Sequence, residues 1–331
     1  MIVADGLAKS YRDGAGVGEL SFTVRPGVVT GFLGPNGAGK STTIRLMLGL
    51  TRGRGRTTFG GRTYAEVPGP LRTVGVLAGA AAVHPARTAA AHLRMVAAGG
   101  GVPPRRVREV LAEAGLADVA RKPAGRLSLG MKQRLGLATA LLGDPEYLIL
   151  DEPANGLDPQ GVRWIRDLLK RLAGEGRTVF ASSHLLAETA LLAEDLIVIA
   201  GGRLVSAGPL DEFVRRHARA DVVVRAESPG ALLVALARDG LRVRQEAGEL
   251  VVDTADTGRV VAVAGRAGVA VREVFVRQSG LEDAFLAATA SATAAAAPAT
   301  AAAAAAAAEP AVGTPATSAG AVYGRRRRRL L

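Results

Sequence analysis

Short, strongly apolar runs recur along the first two-thirds of the chain, each closed by glycine or a polar turn and separated by segments with helical spacing. They are "VVTGFL" (28–33), "VGVL" (74–77), "YLIL" (147–150), "TVFASS" (178–183) and "LIVIAGG" (196–202). Strands alternating with helical patterns predict an α/β domain with a mainly parallel sheet over residues 1 to about 215. A helix-rich stretch, 88–142, lies between the second and third runs, so a helical subdomain is expected over about 80–142. Further on, "DVVVRAE", "LRVRQEAGELVVDT" and "VAVREVFVRQ" read as strands flanking the helical "PGALLVALARDG". That pattern predicts a small C-terminal α+β domain over 220–288. From residue 289 to 331 only Ala, Pro, Thr, Ser and a terminal Arg run dominate, too little large apolar surface to offset the entropy of ordering, and a disordered tail is expected.

At 331 residues the chain has room for one large domain or two smaller ones. It contains no cysteine, which removes disulfides, thiolate metal sites and thiol nucleophiles from consideration and suits a reducing cytosol. The opening "MIVADGLAKSYRDG" matches neither a signal nor a transit peptide, and the alanine tract at 294–308 is broken by Pro298 and Thr300. No membrane span is expected. The net charge of +12 invites a nucleic-acid reading, yet residues 291–331 supply +4 of it through Arg325–Arg329 against Glu309. Only five lysines occur, so the charge is nearly all arginine, as a GC-rich coding bias would give. No nucleic-acid partner is expected.

The stretch "LGPNGAGKST" (33–42) fits GxxxxGKS through Gly34, Gly39, Lys40 and Ser41, directly after a strand and before a helix. There the backbone of Gly34, Pro35, Asn36, Gly37, Ala38 and Gly39 can curl so that its N–H groups, which Pro35 alone lacks, point toward phosphate oxygens, with the helix N-terminus behind them. Lys40 then reaches the β- and γ-phosphates, Ser41 ligates Mg²⁺, and Thr42 completes the loop. A second element, "YLILDEPANGLDP" (147–159), brings Asp151 and Glu152 out at the end of an apolar strand, where open α/β sheets bind ligands. Asp151 is expected to hold the Mg²⁺ shell. Glu152 is expected to act as general base toward water, a role worth about 10²- to 10⁴-fold in rate.

Between these motifs lies "LSLGMKQRLGLATALL" (127–142). Here the chain resembles ABC-type ATPases: Ser128 and Gly130 match the family's signature motif, in the form seen in antibiotic-exporter ATPases similar to the bacitracin-transport type. The resemblance extends to Tyr11 as the adenine-stacking aromatic, to "NGLD" (155–158) with Asp158 as the D-loop, and to His184 as the switch histidine facing the γ-phosphate. It covers residues 1 to about 215, and 220–288, ending "SGLEDAFLAAT", is similar to the C-terminal domain of many drug-export ATPases. One departure stands out. Where the family carries a glutamine after the third strand, "VGVLAGAAAVHP" places Gly79.

The resemblance implies an α/β P-loop ATPase of ABC type that binds ATP and Mg²⁺. It implies a head-to-tail homodimer, or a pair with a close relative, in which each signature completes the other's site. It also implies a separate integral-membrane permease, docked near 79–92, with the ATPase peripheral on the cytoplasmic face and exporting a drug or antibiotic. The rival reading is a soluble ABC ATPase acting on DNA or ribosomes. The long coiled coil or second cassette that such proteins carry is not seen here. The Arg325–Arg329 run could touch anionic lipid, about 1 kcal/mol per arginine at most.

Overall fold

The computed structural model of the chain describes residues 1–11, 16–79, 83–217, 220–246, 248–278 and 280–296. In chain order the first strands are β1 (Ile2–Ser10), β2 (Gly16–Val24), β3 (Val29–Leu33), β4 (Arg54–Phe59), β5 (Val74–Leu77) and β6 (Tyr147–Leu150). Then come β7 (Thr178–Ser183), β8 (Asp195–Ala200), β9 (Arg203–Pro209), β10 (Ala220–Ala226), β11 (Val243–Glu246), β12 (Glu249–Val252) and β13 (Val271–Gln278). The helices are α1 (Lys40–Met47), α2 (Pro70–Thr73), α3 (Ala89–Gly99), α4 (Pro104–Glu113), α5 (Leu129–Leu141) and α6 (Pro159–Gly174). They continue as α7 (Leu186–Leu192), α8 (Leu210–His217), α9 (Pro229–Arg238), α10 (Thr257–Arg266) and α11 (Leu281–Ala296).

The central sheet runs β5-β6-β7-β3-β8-β9, parallel throughout except where β9 turns back antiparallel on β8. Its inner strands are apolar because both faces are covered: every residue of β3, β6 and β8 is buried. Helices α3, α4 and α5 form the inserted helical part, with Leu93, Val110, Leu116 and Leu135 sharing one apolar cluster with Leu148 and Leu150 of β6. Three helices of this part of the chain start where a side chain accepts a free N–H. Thr88 caps α3, Ser128 caps α5, and Asp158, followed by Pro159 at the first helical position, caps α6.

A second sheet, β2-β1-β4, is antiparallel and was not legible in the sequence. Its central strand slips register between Ala4 and Leu7, around Gly6 at φ 57°, so the apolar positions of "IVADGLAKS" keep no steady period of two. It is tied to the central sheet by aromatic contacts. The Phe22 ring of β2 stacks on Phe180 of β7 at 5.9 Å and lies 6.1 Å from Phe32 of β3.

The third sheet, β11-β12-β10-β13, is antiparallel, and its βαββαβ order with α9 and α10 on one face is the ferredoxin-like arrangement. Leu232 and Leu236 of α9 and Val260 and Val263 of α10 bury against Val222, Val224, Leu250 and Val252. The last helix packs elsewhere: Ala284, Phe285 and Ala288 of α11 join Leu33, Leu196, Val198 and Phe213, beside the strand that feeds the glycine-rich loop. Within the segment read as 220–288, then, the sheet ends at Gln278 and α11 belongs to the core of the larger part. The helix also continues to Ala296, beyond the expected start of the tail, as suits alanine's high helix propensity. The remaining tail from 297, with Arg325–Arg329, lies outside the described residues, as do 80–82 of the expected docking loop. No helix among the described residues is long and apolar enough to cross a membrane.

Removing the aromatic contact between sheets should be costly. Phe180→Ala deletes a fully buried ring and is expected to lower unfolding free energy by about 3–5 kcal/mol, read by chemical denaturation.

Candidate active site

The register of the parallel strands brings the motifs together. Leu33 lies beside Ser183 and Val198, and Leu150 beside Ala181, so Gly34, Asp151 and His184 all leave the sheet at one carboxyl edge. The loop after β3 needs glycine at two places. A Cβ at Gly34 would stand 2.6 Å from the Ile199 carbonyl oxygen, and Gly39 has φ 102° with Val17 packed where a side chain would go. A cavity of about 240 Å³ opens above this loop, lined by residues 35–37 and 39–42 and by Glu152.

Lys40 is the first residue of α1 and is only 7 % exposed. Its ammonium donates to the Gly34 carbonyl at 2.7 Å and stands 3.6 Å from Glu152 Oε1. The other carboxylate oxygen of Glu152, Oε2, lies 2.7 Å from His184 Nδ1. Glu152 holds a left-handed φ of 52°, a conformation that costs a non-glycine residue roughly 1–3 kcal/mol and is found at functional sites. Asp151 is buried, and its backbone N–H donates to Leu77 O at 2.7 Å. The hydroxyl of Ser41 and the carboxylate of Asp151 are hard oxygen donors of the kind Mg²⁺ takes.

Two residues absent from the sequence reading hold this arrangement. Ser182, fully buried on β7, donates its hydroxyl to Asp151 Oδ1 at 2.7 Å and accepts the Glu152 N–H at 2.9 Å. Gln133, on α5 and 5 % exposed, donates Nε2 to the carbonyls of Glu152 at 2.9 Å and Pro153 at 3.2 Å. For Ser182 the available signal was polarity in the wrong place, a serine inside an apolar strand; Gln133 lies between Lys132 and Arg134 and carries no such signal.

The remaining predicted residues sit apart from the cavity. Tyr11 follows β1, with the Lys9 ammonium 5.3 Å from its ring centroid. Ser128 accepts the Met131 N–H at 3.2 Å, and Asp158 accepts the Gly161 N–H at 2.8 Å. A Cβ on Gly130 would lie 3.2 Å from the Gly156 carbonyl oxygen, so the signature segment packs on the "NGLD" turn of its own chain. Neither segment lines the cavity over the phosphate loop. Gly79 has φ 71° with open space around it.

With this geometry in place, the comparisons are consistent. The family described as "ABC transporter" matches residues 17–155. The chain is 35% identical over 291 residues to the uncharacterized ABC transporter ATP-binding protein YhcH of Bacillus subtilis, covering 86% of this chain and 94% of that protein. It is 39% identical over 221 residues to the bacitracin transport ATP-binding protein BcrA of Bacillus licheniformis, covering 66% and 72%. It is 33% identical to the daunorubicin resistance ATP-binding protein DrrA3 of Streptomyces coeruleorubidus, covering 87% and 95%. Among solved structures, an ATP-binding subunit of an ABC transporter superposes with a TM-score of 0.59 at 27% identity, over 65% of this chain and 92% of that one. A dimeric ATP-binding cassette in a post-hydrolysis state with ADP and Pi gives 0.58 at 22%, over 63% and 98%. The chain belongs to the ABC transporter ATP-binding family, and it is an ATP-hydrolysing subunit of that type.

Two outcomes follow from the local geometry. Ser182→Ala leaves the Glu152 N–H without its acceptor and should cost about 1–3 kcal/mol in stability, together with a fall in ATP turnover measured by phosphate release. The half-buried Glu188 has its carboxyl pKa raised above the ordinary 4.5, mainly by burial, with His184 opposing and the Glu152 charge adding. A carboxyl raised on folding stabilises the fold where it is protonated, and that stability is lost as pH climbs through the folded value. Glu188→Gln should therefore raise Tm at pH 7, and the difference should close as the pH falls to about 4.

Proposed function

We propose that this chain powers export of a drug-like or antibiotic cargo through a separate integral-membrane permease, as one of two ATPase subunits that close head to tail on ATP. The observation that carries this reading is the split of the motifs. Residues 35–37 and 39–42 share one cavity with Glu152, while Ser128 and Gly130 do not line it, which supports a reading in which a second chain completes the site. The names of the relatives support the export class: they include bacitracin transport, lantibiotic transport, Nod factor export and daunorubicin resistance proteins. Dimers are described for a cassette of the same fold.

In this reading residues 34–42 cradle the triphosphate, Tyr11 stacks on adenine, and Ser128, Gly130 and Asp158 meet the nucleotide of the partner. Ser41 and Asp151 hold Mg²⁺, which supplies charge neutralisation at the phosphates. Lys40 now spends its ammonium on Gly34 O and sits near Glu152, so nucleotide entry redirects it to phosphate oxygens. Glu152 then takes a proton from the attacking water as the new O–P bond forms and the bond to the ADP oxygen breaks. His184, already 2.7 Å from Glu152, holds that carboxylate and reaches the γ-phosphate. Residues 1–215 together with α11 would form the motor, with 220–278 as an accessory domain, placed at the cytoplasmic face of the membrane. With Gly79 in the glutamine's place, coupling to the permease uses other residues of the 79–92 loop.

Glu152→Gln should retain ATP binding, lose turnover by about 10²-fold or more, and accumulate as a dimer in Mg-ATP by sedimentation. Lys40→Ala should lose nucleotide binding. A Glu152→Gln chain that gains no dimer on adding ATP would overturn the closed-pair reading, and native isolation without any membrane subunit would overturn export.

A further inference from the structure

The C-terminal sheet ends in β13, which among the described residues pairs on one side only, with β10. The opposite edge, β11, is four residues long, whereas β13 spans eight, "VREVFVRQ", with no proline and no glycine. A strand with one face on a core should alternate buried and exposed side chains. Yet Phe275 and Val276 are neighbours, therefore on opposite faces, and are 39 % and 41 % exposed. Between Arg272 and Arg277 only Val274 is partly covered. The register of β13 on β10 slips once, at Arg272 near its start, and runs regularly from Glu273 to Gln278; a regular edge of this kind presents free N–H and C=O groups and is a template for a further strand, which proteins usually block with proline, a bulge within it or shortness.

The side chains of β13 specify what that strand is. Two copies meeting antiparallel about a twofold axis keep facing side chains on the same side of the sheet, so the register must be centred on one residue. Centred on Phe275, each copy sets Phe275 against Phe275, Val274 against Val276, and Glu273 against Arg277, the last two twice over. Centring on Val274 sets Glu273 against Phe275, and centring on Val276 sets Phe275 against Arg277; neither pairs opposite charges. Within one chain Glu273 accepts from Arg225 at 2.6 Å and Arg277 donates to Glu246 at 2.9 Å. Those contacts order both charged groups while leaving them exposed for a shared bridge.

We propose that β13 pairs with β13 of a second copy, joining two four-stranded sheets into one of eight, without nucleotide. This contact is separate from the ATP-closed pair and does not rest on it. The 331-residue chain contains no cysteine, so in it Phe275→Cys can form a disulfide only between copies. Facing residues in an antiparallel pair have Cα atoms about 4.5–5.5 Å apart, within disulfide range.

Under mild oxidation without nucleotide, Phe275→Cys is expected to convert mostly to a covalent dimer. Val261→Cys, exposed on α10, is expected to stay monomeric. Equal cross-linking of the two would overturn the contact. Glu273→Arg and Arg277→Glu, each placing like charges opposite, should weaken the nucleotide-free dimer about tenfold by sedimentation equilibrium. The double reversal should restore it, although it does not restore the bonds to Arg225 and Glu246; a double variant as weak as the singles would overturn the register. Dimerisation of Glu152→Gln in ATP with no Phe275→Cys disulfide would sink this contact and leave the ATP-closed pair standing. The converse would sink only the latter.

Discussion

The constraint on which the site depends is the parallel ladder of β6, β7 and β3. Its register sets Leu150 by Ala181 and Leu33 by Ser183, and each chemically active segment begins within a residue of a strand end. Because β3 and β6 are buried throughout, a one-residue slip would turn core side chains to the wrong face, and the ladder has one workable alignment. Ser182 depends directly on that alignment. Its hydroxyl reaches Asp151 and the Glu152 amide only because β7 stands at this height beside β6.

From that edge the order spreads into the helical part. Gln133 fastens α5 to the Glu152 and Pro153 carbonyls, while Ser128, five residues earlier on the same element, caps its start. Arg134 places its guanidinium 4.4 Å from the Trp164 ring of α6, and Leu129 packs on Gly156. Residues 128–134, the turn at 155–158 and the Glu152 backbone are thus joined by hydrogen bonds and packing.

Much of this was legible in the sequence for a physical reason. Parallel strands covered on both faces leave unbroken apolar runs, and "VGVL", "YLIL" and "TVFASS" coincide with β5, β6 and β7. The phosphate loop and the acid pair could be read because each lies immediately after such a run. What could not be read depends on distant partners. The β2-β1-β4 sheet hides behind a register slip at Gly6, β9 is an edge strand of mixed exposure, and the roles of Ser182 and Gln133 span 19 to 31 residues. The place of α11 was equally hidden: "LEDAF" shows an amphipathic helix but not that its apolar side meets Leu33 and Val198.

That helix has a consequence for biosynthesis. Leu33, Leu196, Val198 and Phe213 all emerge during translation well before Ala284 and Phe285, which cover them. Until the ferredoxin-like sheet has also been made, the nascent chain lacks the residues that cover this apolar surface beside the glycine-rich loop. A chain cut after residue 215 would leave that surface uncovered for good.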